Sequence, residues 1–250
     1  MTDNNKYIYG IHTCSAQLRL DSKSIDVLFL KNSSHNKQIL NIIAICKAAG
    51  INIVEIEKDQ LTTMCLSSKH QGIVMKLSDN NSSGFDLELY LQTQSCPFIA
   101  IFDSLQDPRN LGSCIRTANA AGVELVIKKK SNSCDISPLV HKTASGGLQG
   151  ISLLETNNIL SIIKKLKNNN IKIIGTADSA LKSLDDLDDI NDSGVAVLIG
   201  AEGCGISKSL LDACDDVCSI PIYGTVECLN VAVATGITLY HIKKLIKKTK

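Results

Sequence analysis

The 250-residue chain has no tryptophan, only 4 prolines and 4% aromatic residues. It also lacks an excess of either charge, since 26 Lys and Arg face 25 Asp and Glu for a formal net charge of +1. That balance excludes a polybasic arm that grips nucleic acid non-specifically, so any RNA contact must come from a local patch. No apolar run reaches the roughly 18–20 residues needed to span a bilayer, and no membrane partner is expected. The opening MTDNNKYIYG has neither a signal-peptide h-region nor an Arg-rich transit composition. The expectation is a cytoplasmic protein. No Cys-x-x-Cys pair occurs among the 10 cysteines, which argues against a zinc ribbon or a thioredoxin-type site. No metal is expected.

What is present is a globular mix, 44% hydrophobic and 20% charged. That is enough apolar surface to offset the ordering entropy a disordered chain cannot meet. Cys46 continues the helical stripe Ile39, Ile42, Ile43, and Cys114 lies in the stripe Leu111, Ile115, Ala118. Such thiols read as small buried hydrophobes in a reducing compartment.

From residue 7 to 77, strand signals at 25–30, 51–56 and 72–77 accompany a helical pattern over 35–49 that Gly50 stops. Residues 1–78 carry nine Lys and Arg against six acids, a mild excess that permits RNA contact. The stretch 78–84, SDNNSSG, has nothing to bury and marks a boundary, with a short helix expected at 86–92. The domains read as 1–78, a linker over 79–96, and 97–250. In the last of these, apolar runs at 98–102, 125–128, 171–175, 195–200 and 217–222 alternate with helical patterns at 109–121, 157–167 and 207–214. A final helix runs from about residue 229 to the end. Strands joined by crossover helices imply an α/β domain with a mostly parallel sheet. The acidic stretch 185–192, DDLDDIND, reads as a solvated loop.

Ligands of such sheets bind outside the carboxyl ends of the strands. Three loops there combine glycine with Glu, Asn or Arg: 103–122, 198–207 and 220–236. The usual nucleotide motifs fail, because GAEGCG places its glycines at 200, 203 and 205 and no glycine loop ends in Lys-Ser/Thr. Instead the loops contain Asp107-Pro108-Arg109-Asn110-Leu111-Gly112 with Arg116-Thr117-Ala118, then Ile199-Gly200-Ala201-Glu202-Gly203, then Ile220-Pro221 with Leu229-Asn230-Val231. Taken together, in this order over about 130 residues, they resemble the three motifs of the SpoU (TrmH) family of RNA ribose 2′-O-methyltransferases. The N-terminal segment resembles the substrate-binding domain of RlmB-type members, through Tyr9-Gly10-Ile11-His12 and His70-Gln71-Gly72-Ile73.

The resemblance implies a SPOUT-class fold with a C-terminal trefoil knot, preceded by a small α/β substrate-binding domain. It implies S-adenosyl-L-methionine as cofactor, a homodimer, and methylation of a guanosine in large-subunit (23S) ribosomal RNA. Arg116 matches the motif-one arginine; because guanidinium keeps its proton, it is read as the charge that stabilises the ribose alkoxide. Asn110 is read as an active-site amide and the cap of the helix bearing Arg116, Glu202 as an orienting partner for Arg116 or the RNA, and Asn230 as an amide for backbone or ribose. Gly200, Ile220 and Leu229 align with positions that hold the cofactor largely through backbone, and Thr176 is placed in the same pocket. Arg19, Lys23 and Arg109 are the candidate RNA contacts. His12, His70 and His141 are read as packing or surface residues. Two departures stand out: Cys228 and Ala232 replace serines of the third motif, and 144–149 follows the family's run only loosely. Competing readings are a transfer-RNA guanosine methyltransferase, which would lack the first domain, and a catalytically weak ribosome-assembly factor.

Overall fold

The computed structural model describes residues 7–32, 36–78, 85–191, 193–201, 203 and 205–247. The chain divides into two compact units, Met1–Gly84 with Ile136–Gly150, and Phe85–Asp135 with Ile151–Lys250. Of the proposed boundary segment, residues 79–84 lie outside the described residues, as does His35.

The first unit begins with β1 (Tyr7–Tyr9), α1 (Ile11–Leu20), β2 (Ile25–Lys31), α2 (Lys37–Ala48), β3 (Asn52–Ile56), α3 (Lys58–Cys65) and β4 (Ile73–Leu77). Its sheet has the order β1-β4-β2-β3, with β2 parallel to β3 and antiparallel to β4. Asn36 starts α2 by accepting from the Ile39 amide at 3.0 Å, and the helix buries Ile39, Ile42 and Cys46. Glu57 and Gln60 form a reciprocal capping box on α3. Helix α1 was not legible as a stripe, because buried Thr13 and Gln17 interrupt Ile11, Cys14 and Leu18. Gln17 is instead satisfied inside, donating to Ser24 Oγ at 2.6 Å. Burial pushes the Cys46 thiol up to about 11, as its place in the apolar stripe requires.

The second unit opens with α4 (Leu87–Thr93), capped by Asp86, then β5 (Phe98–Phe102), α5 (Pro108–Ala120) and β6 (Leu125–Lys129). Here the chain returns to the first unit for α6 (Pro138–Ala144) and a 3-10 turn at Gly147–Gly150. Residues 136–150, placed by sequence in the second domain, thus cluster with the first. The Thr13 hydroxyl donates to the His141 carbonyl at 3.4 Å, and a Cβ on Gly146 would run into Ala16. Burial pushes His141 down to about 4. Its unfolded value is about 6.5, so the unfolded chain takes up this proton first. Stability is therefore complete above pH 6.5 and falls by about 3 kcal/mol as pH drops toward 4. Denaturant midpoints at pH 7 and 4.5 should show this loss, and His141→Gln should flatten it. Equal pH slopes for the two proteins would refute the assignment.

The chain then completes the second unit with β7 (Ser152–Thr156), α7 (Ile159–Asn168), β8 (Lys172–Thr176), β9 (Lys182–Ser183), β10 (Ile190–Asn191), β11 (Val195–Ile199), α8 (Lys208–Leu211), β12 (Asp216–Ser219), α9 (Val231–Leu245) and β13 (Ile246–Lys247). Seven strands form one sheet in the order β7-β6-β5-β11-β8-β12-β9, and every described pairing in it is parallel. All five residues of both β5 and β11 are buried, which is why each reads as an unbroken apolar run. Leu87, Leu91, Ile159, Ile163 and Leu166 of α4 and α7 pack with Ile99, Ile101, Leu125, Ile127, Ile173 and Leu198. Each fully buried aliphatic contributes roughly 1.5–3 kcal/mol.

The stretch 185–192 is not simply a solvated loop. Leu187 and Ile190 are buried, and β10 pairs in parallel with β13, which explains the hydrophobic residues set among its aspartates. Helix α8 spans four residues where 207–214 was expected, because the chain turns at Asp212 toward β12.

Candidate active site

The strand order reverses between β5 and β11, since β6 and β7 lie on one side of β5 while β8, β12 and β9 lie beyond β11. Such a switch point opens a crevice at the carboxyl ends of the strands. Phe102 pairs with Ile199, Leu198 with Gly175 and Cys218 with Thr176. The exits of β5, β11, β8 and β12 therefore stand side by side, and each leads into a segment singled out from the sequence.

The first exit is tied to the second through Asp103, whose amide donates to the Ile199 carbonyl at 2.9 Å. Its buried carboxylate accepts from Ser104 Oγ at 2.8 Å and pairs with Lys129 at 3.0 Å. Asp103 was not among the expected site residues. The signal was available as an acid directly following a wholly apolar strand. Fully buried Lys128 pairs with Glu155 at 2.7 Å across the β6–β7 register, fixing the neighbouring exits. Glu155 is exposed while the Lys128 ammonium is not, so removing Glu155 would leave a buried cation without its partner.

Helix α5 starts earlier than Asn110. Asp107 is its cap, accepting from the Arg109 amide at 2.7 Å, and Pro108 occupies the first turn with its φ already helical. Asn110 therefore lies within the helix and is not its cap. Its carbonyl oxygen accepts from the Asn230 amide nitrogen at 3.3 Å, a contact between residues 120 apart in the chain. Asn230 is itself the cap of α9, accepting from the Ala232 amide at 2.9 Å. Close packing of α5 on α9 brings the two amides together: a Cβ on Gly236 would sit 3.4 Å from Thr117 Cγ2, and Tyr240 donates its hydroxyl to the Ala120 carbonyl at 3.3 Å.

Arg116 is exposed on α5 and makes no ion pair among the described residues. It stands six residues beyond Asn110, about 9 Å along the helix and a third of a turn around it. The structure brings Asn110 and Asn230 together but does not place Arg116 against them. Glu202 lies outside the described residues. Arg109 is exposed in the first turn of α5.

The cofactor candidates fall at neighbouring exits. Thr176 ends β8 and donates its hydroxyl to the Leu198 carbonyl at 3.3 Å. Gly200 follows β11, and there the chain doubles back, with Ala201 and Gly205 forming an antiparallel bridge and the Gly205 amide donating to the Ala201 carbonyl at 3.0 Å. A Cβ on Gly200 would collide with the backbone of Gly205 and Ile206, so only glycine fits. Ile220 and Leu229 are half-buried at the two ends of the segment joining β12 to α9. Among the described residues, the backbone groups of 221–229 make no hydrogen bond to other backbone. Such unpaired N–H and C=O groups call for water or a ligand.

Cys228 is exposed and two residues before the cap of α9, so it stands outside the helix rather than at its start. The expected result for Cys228→Ser is unchanged or higher turnover, and for Cys228→Ala a modest loss. The direct methyl transfer that the resemblance implies needs no covalent intermediate, so the thiol is not expected to act as a nucleophile. A folded Cys228→Ser protein that binds cofactor yet has no measurable turnover would overturn this. Among the described residues no group of three or more His, Cys, Asp or Glu could hold a metal ion, and no helix is long and apolar enough to cross a membrane.

His70 is buried, with Nδ1 accepting from the Gly72 amide at 3.0 Å and Nε2 3.3 Å from Thr62 Oγ1. It packs, as expected. Arg19 and Lys23 are exposed, Arg19 bonded to Ser15 Oγ at 2.9 Å.

The model of the SpoU rRNA methylase family matches residues 97–240, and that of the RNA 2′-O-ribose methyltransferase substrate-binding domain matches residues 7–82. The 23S rRNA (guanosine-2′-O-)-methyltransferase RlmB of Ralstonia nicotianae is 32% identical over 238 residues, covering 95% of this chain and 94% of that protein. The RlmB of Shewanella oneidensis is 34% identical over 235 residues, 94% of this chain and 95% of its own length. The SpoU methyltransferase AviRb of Streptomyces viridochromogenes, solved with AdoMet, has 20% identity and a TM-score of 0.78, covering 95% of this chain and 89% of that one. With its strand exits, its glycine-only return and both sequence units matched, the chain belongs to the SpoU rRNA methylase family.

Proposed function

We propose that this protein transfers the methyl group of S-adenosyl-L-methionine to the ribose 2′-hydroxyl of a guanosine in 23S ribosomal RNA. The observation that carries the reading is the convergence of three loops at adjacent parallel strand exits, with Asn110 and Asn230 joined at 3.3 Å. The residues present suit the cofactor. Thr176, Gly200, Ile220 and Leu229 bring neutral side chains and open backbone to one place, where a fixed cation would repel a sulfonium.

When bound, the cofactor supplies an already activated methyl group. The protein's part is to orient the ribose, let the proton of a weakly acidic alcohol pass to solvent water, and balance the alkoxide charge. Asn110 and Asn230 hold the ribose side of the crevice, Arg116 compensates the oxyanion, and Glu202 orients Arg116. Arg109 reaches for a neighbouring phosphate, and the first unit, with Arg19 and Lys23, holds the RNA.

We further assign a homodimer. Exposed Val233, Ile237 and Tyr240 recur along one face of α9 at helical spacing, and Tyr223 and Val226 in the segment before the helix are exposed as well. A second copy covers that stripe and meets Arg116, which makes no ion pair of its own among the described residues. The reading includes the trefoil knot of the SPOUT class and action in the cytoplasm, where ribosomes assemble.

The test is a map of 2′-O-methyl sites on total RNA with and without the protein. Loss of a single large-subunit guanosine mark is expected. Loss of a transfer-RNA mark, or an unchanged map, would overturn the proposal.

A further inference from the structure

We propose that Lys31, Lys58, Lys69 and Lys142 form the main phosphate-gripping face of the first unit, which takes the sugar–phosphate backbone of the substrate RNA. The inference rests on the RNA-modifying reading and names the surface that holds the substrate.

Topology gathers these residues at one end of the first sheet. Strands β2 and β3 are parallel, with Lys31 opposite Ile56 in register, so Lys58 begins α3 beside the exit that Lys31 marks. Strand β4 enters at the same end, because Ile73 pairs with Leu30, and the Lys31 amide donates to the Gly72 carbonyl at 2.9 Å. The loop carrying Lys69 and His70 therefore lies over the exits of β2 and β3. Strand β1, antiparallel to β4, also leaves here. The two segments singled out in the N-terminal sequence now meet. The Gly10 amide donates to the Ile73 carbonyl at 3.3 Å, and the Ile11 amide donates to Gln71 Oε1 at 3.0 Å. Positive φ at Gly10, Gln71 and Gly72 gives this meeting point a fixed, unusual backbone.

The fourth lysine comes from α6. Lys142 Nζ donates to the Lys69 carbonyl and lies 4.9 Å from the Tyr9 ring centroid. At the centre, His70 donates to Thr62 Oγ1, which donates to the Lys58 carbonyl at 3.1 Å. Burial and then Lys58, Lys142 and Lys31 lower the His70 proton affinity, so it stays neutral beneath the cations. Burial and Lys69 likewise lower that of Lys142.

None of the four lysines has an ion-pair partner among the described residues. Glu57 is nearby, but its carboxylate accepts from Asn32 at 2.8 Å and caps α3; Asp59 is exposed in the first turn of that helix. Gathering four cations without fixed counter-charges raises their mutual repulsion, which a polyanion relieves. Arg19 and Lys23 lie at the other end of α1 and β2, about 20 Å away along a seven-residue strand. They are subsidiary contacts.

The experiment measures binding of the full chain to a large-subunit ribosomal RNA transcript across a salt series. The Lys58→Gln/Lys69→Gln/Lys142→Gln protein should bind at least about thirtyfold more weakly near 0.1 M salt. Its slope of log K against log salt should fall by about two, at roughly 0.7 per lost contact on single strands. Because Lys142 packs on Tyr9, Lys58→Gln/Lys69→Gln alone is the second variant, expected to show about two thirds of that change in slope with unchanged melting and cofactor affinity. Arg19→Gln/Lys23→Gln should change the slope less than either. Affinity and slope within twofold of the parent for both lysine variants would overturn the proposal, the more so if Arg19→Gln/Lys23→Gln removed them. Methyl incorporation by the unaltered chain is scored in parallel; its absence would sink the enzymatic reading, while the salt slopes still decide the lysines.

Discussion

Arg116→Ala is expected to slow methyl transfer from bound cofactor at least about a hundredfold, the scale of removing one oxyanion stabiliser. Three observations motivate this. Arg116 is exposed on α5, it has no ion pair among the described residues, and its helix begins at the β5 exit beside β11. An arginine held in a structural ion pair would already be balanced, whereas this one has its charge available. Cofactor affinity should hardly change, because the cofactor candidates lie at the exits of β8, β11 and β12. Arg116→Lys should recover only part of the rate, since an ammonium keeps the charge but not the planar fork. Single-turnover rates with calorimetric cofactor binding separate these effects. A near-normal Arg116→Ala rate would remove the residue from the chemistry.

Gly200→Ala is expected to weaken cofactor binding about a hundredfold, with a parallel loss in kcat/KM. The added Cβ would meet the carbonyl group of Gly205 and the amide of Ile206. Both are backbone, so no rotamer change relieves the overlap and the 200–206 return must open. A displacement of about 1 Å in a positioning wall is enough for losses of that size. The comparison is with the parent protein. Calorimetry on both proteins, with melting curves to show that Gly200→Ala stays folded, makes the comparison. Equal cofactor affinity in Gly200→Ala and the parent would mean that this return is not part of the cofactor wall.

Much of the architecture was legible because the signals are local. FIAIF and VAVLI are continuous apolar runs, and they became β5 and β11, buried along their full length. The stripe Ile159, Ile163, Leu166 marked α7, and the apolar spacing over 35–49 ahead of Gly50 marked α2, whose cap Asn36 only the structure identified. Elements with mixed faces were missed. In α1 two buried polar residues break the stripe, and in β7 all five residues are only partly covered or exposed, so SLLET does not alternate. The displaced cap of α5 has a similar cause: Asp107 and Asn110 are both good capping residues, and Pro108 decided between them.

The sequence by itself determined the fold class, the order of the strand-to-helix loops and the chemistry that those loops carry. Hydrophobic period, turn residues and motif spacing are properties of neighbours in the chain, and they act wherever the chain goes. Only the tertiary structure decided which of those neighbours meet. It set β11 between β5 and β8, so that Gly200 stands beside the first motif. It joined Asn110 to Asn230 across 120 residues, and it carried residues 136–150 back to the first unit, where Lys142 meets Lys69. The physical reason is the range of the forces concerned. Capping and periodicity act over three or four residues, whereas strand order and helix docking follow from burying a whole sheet at once.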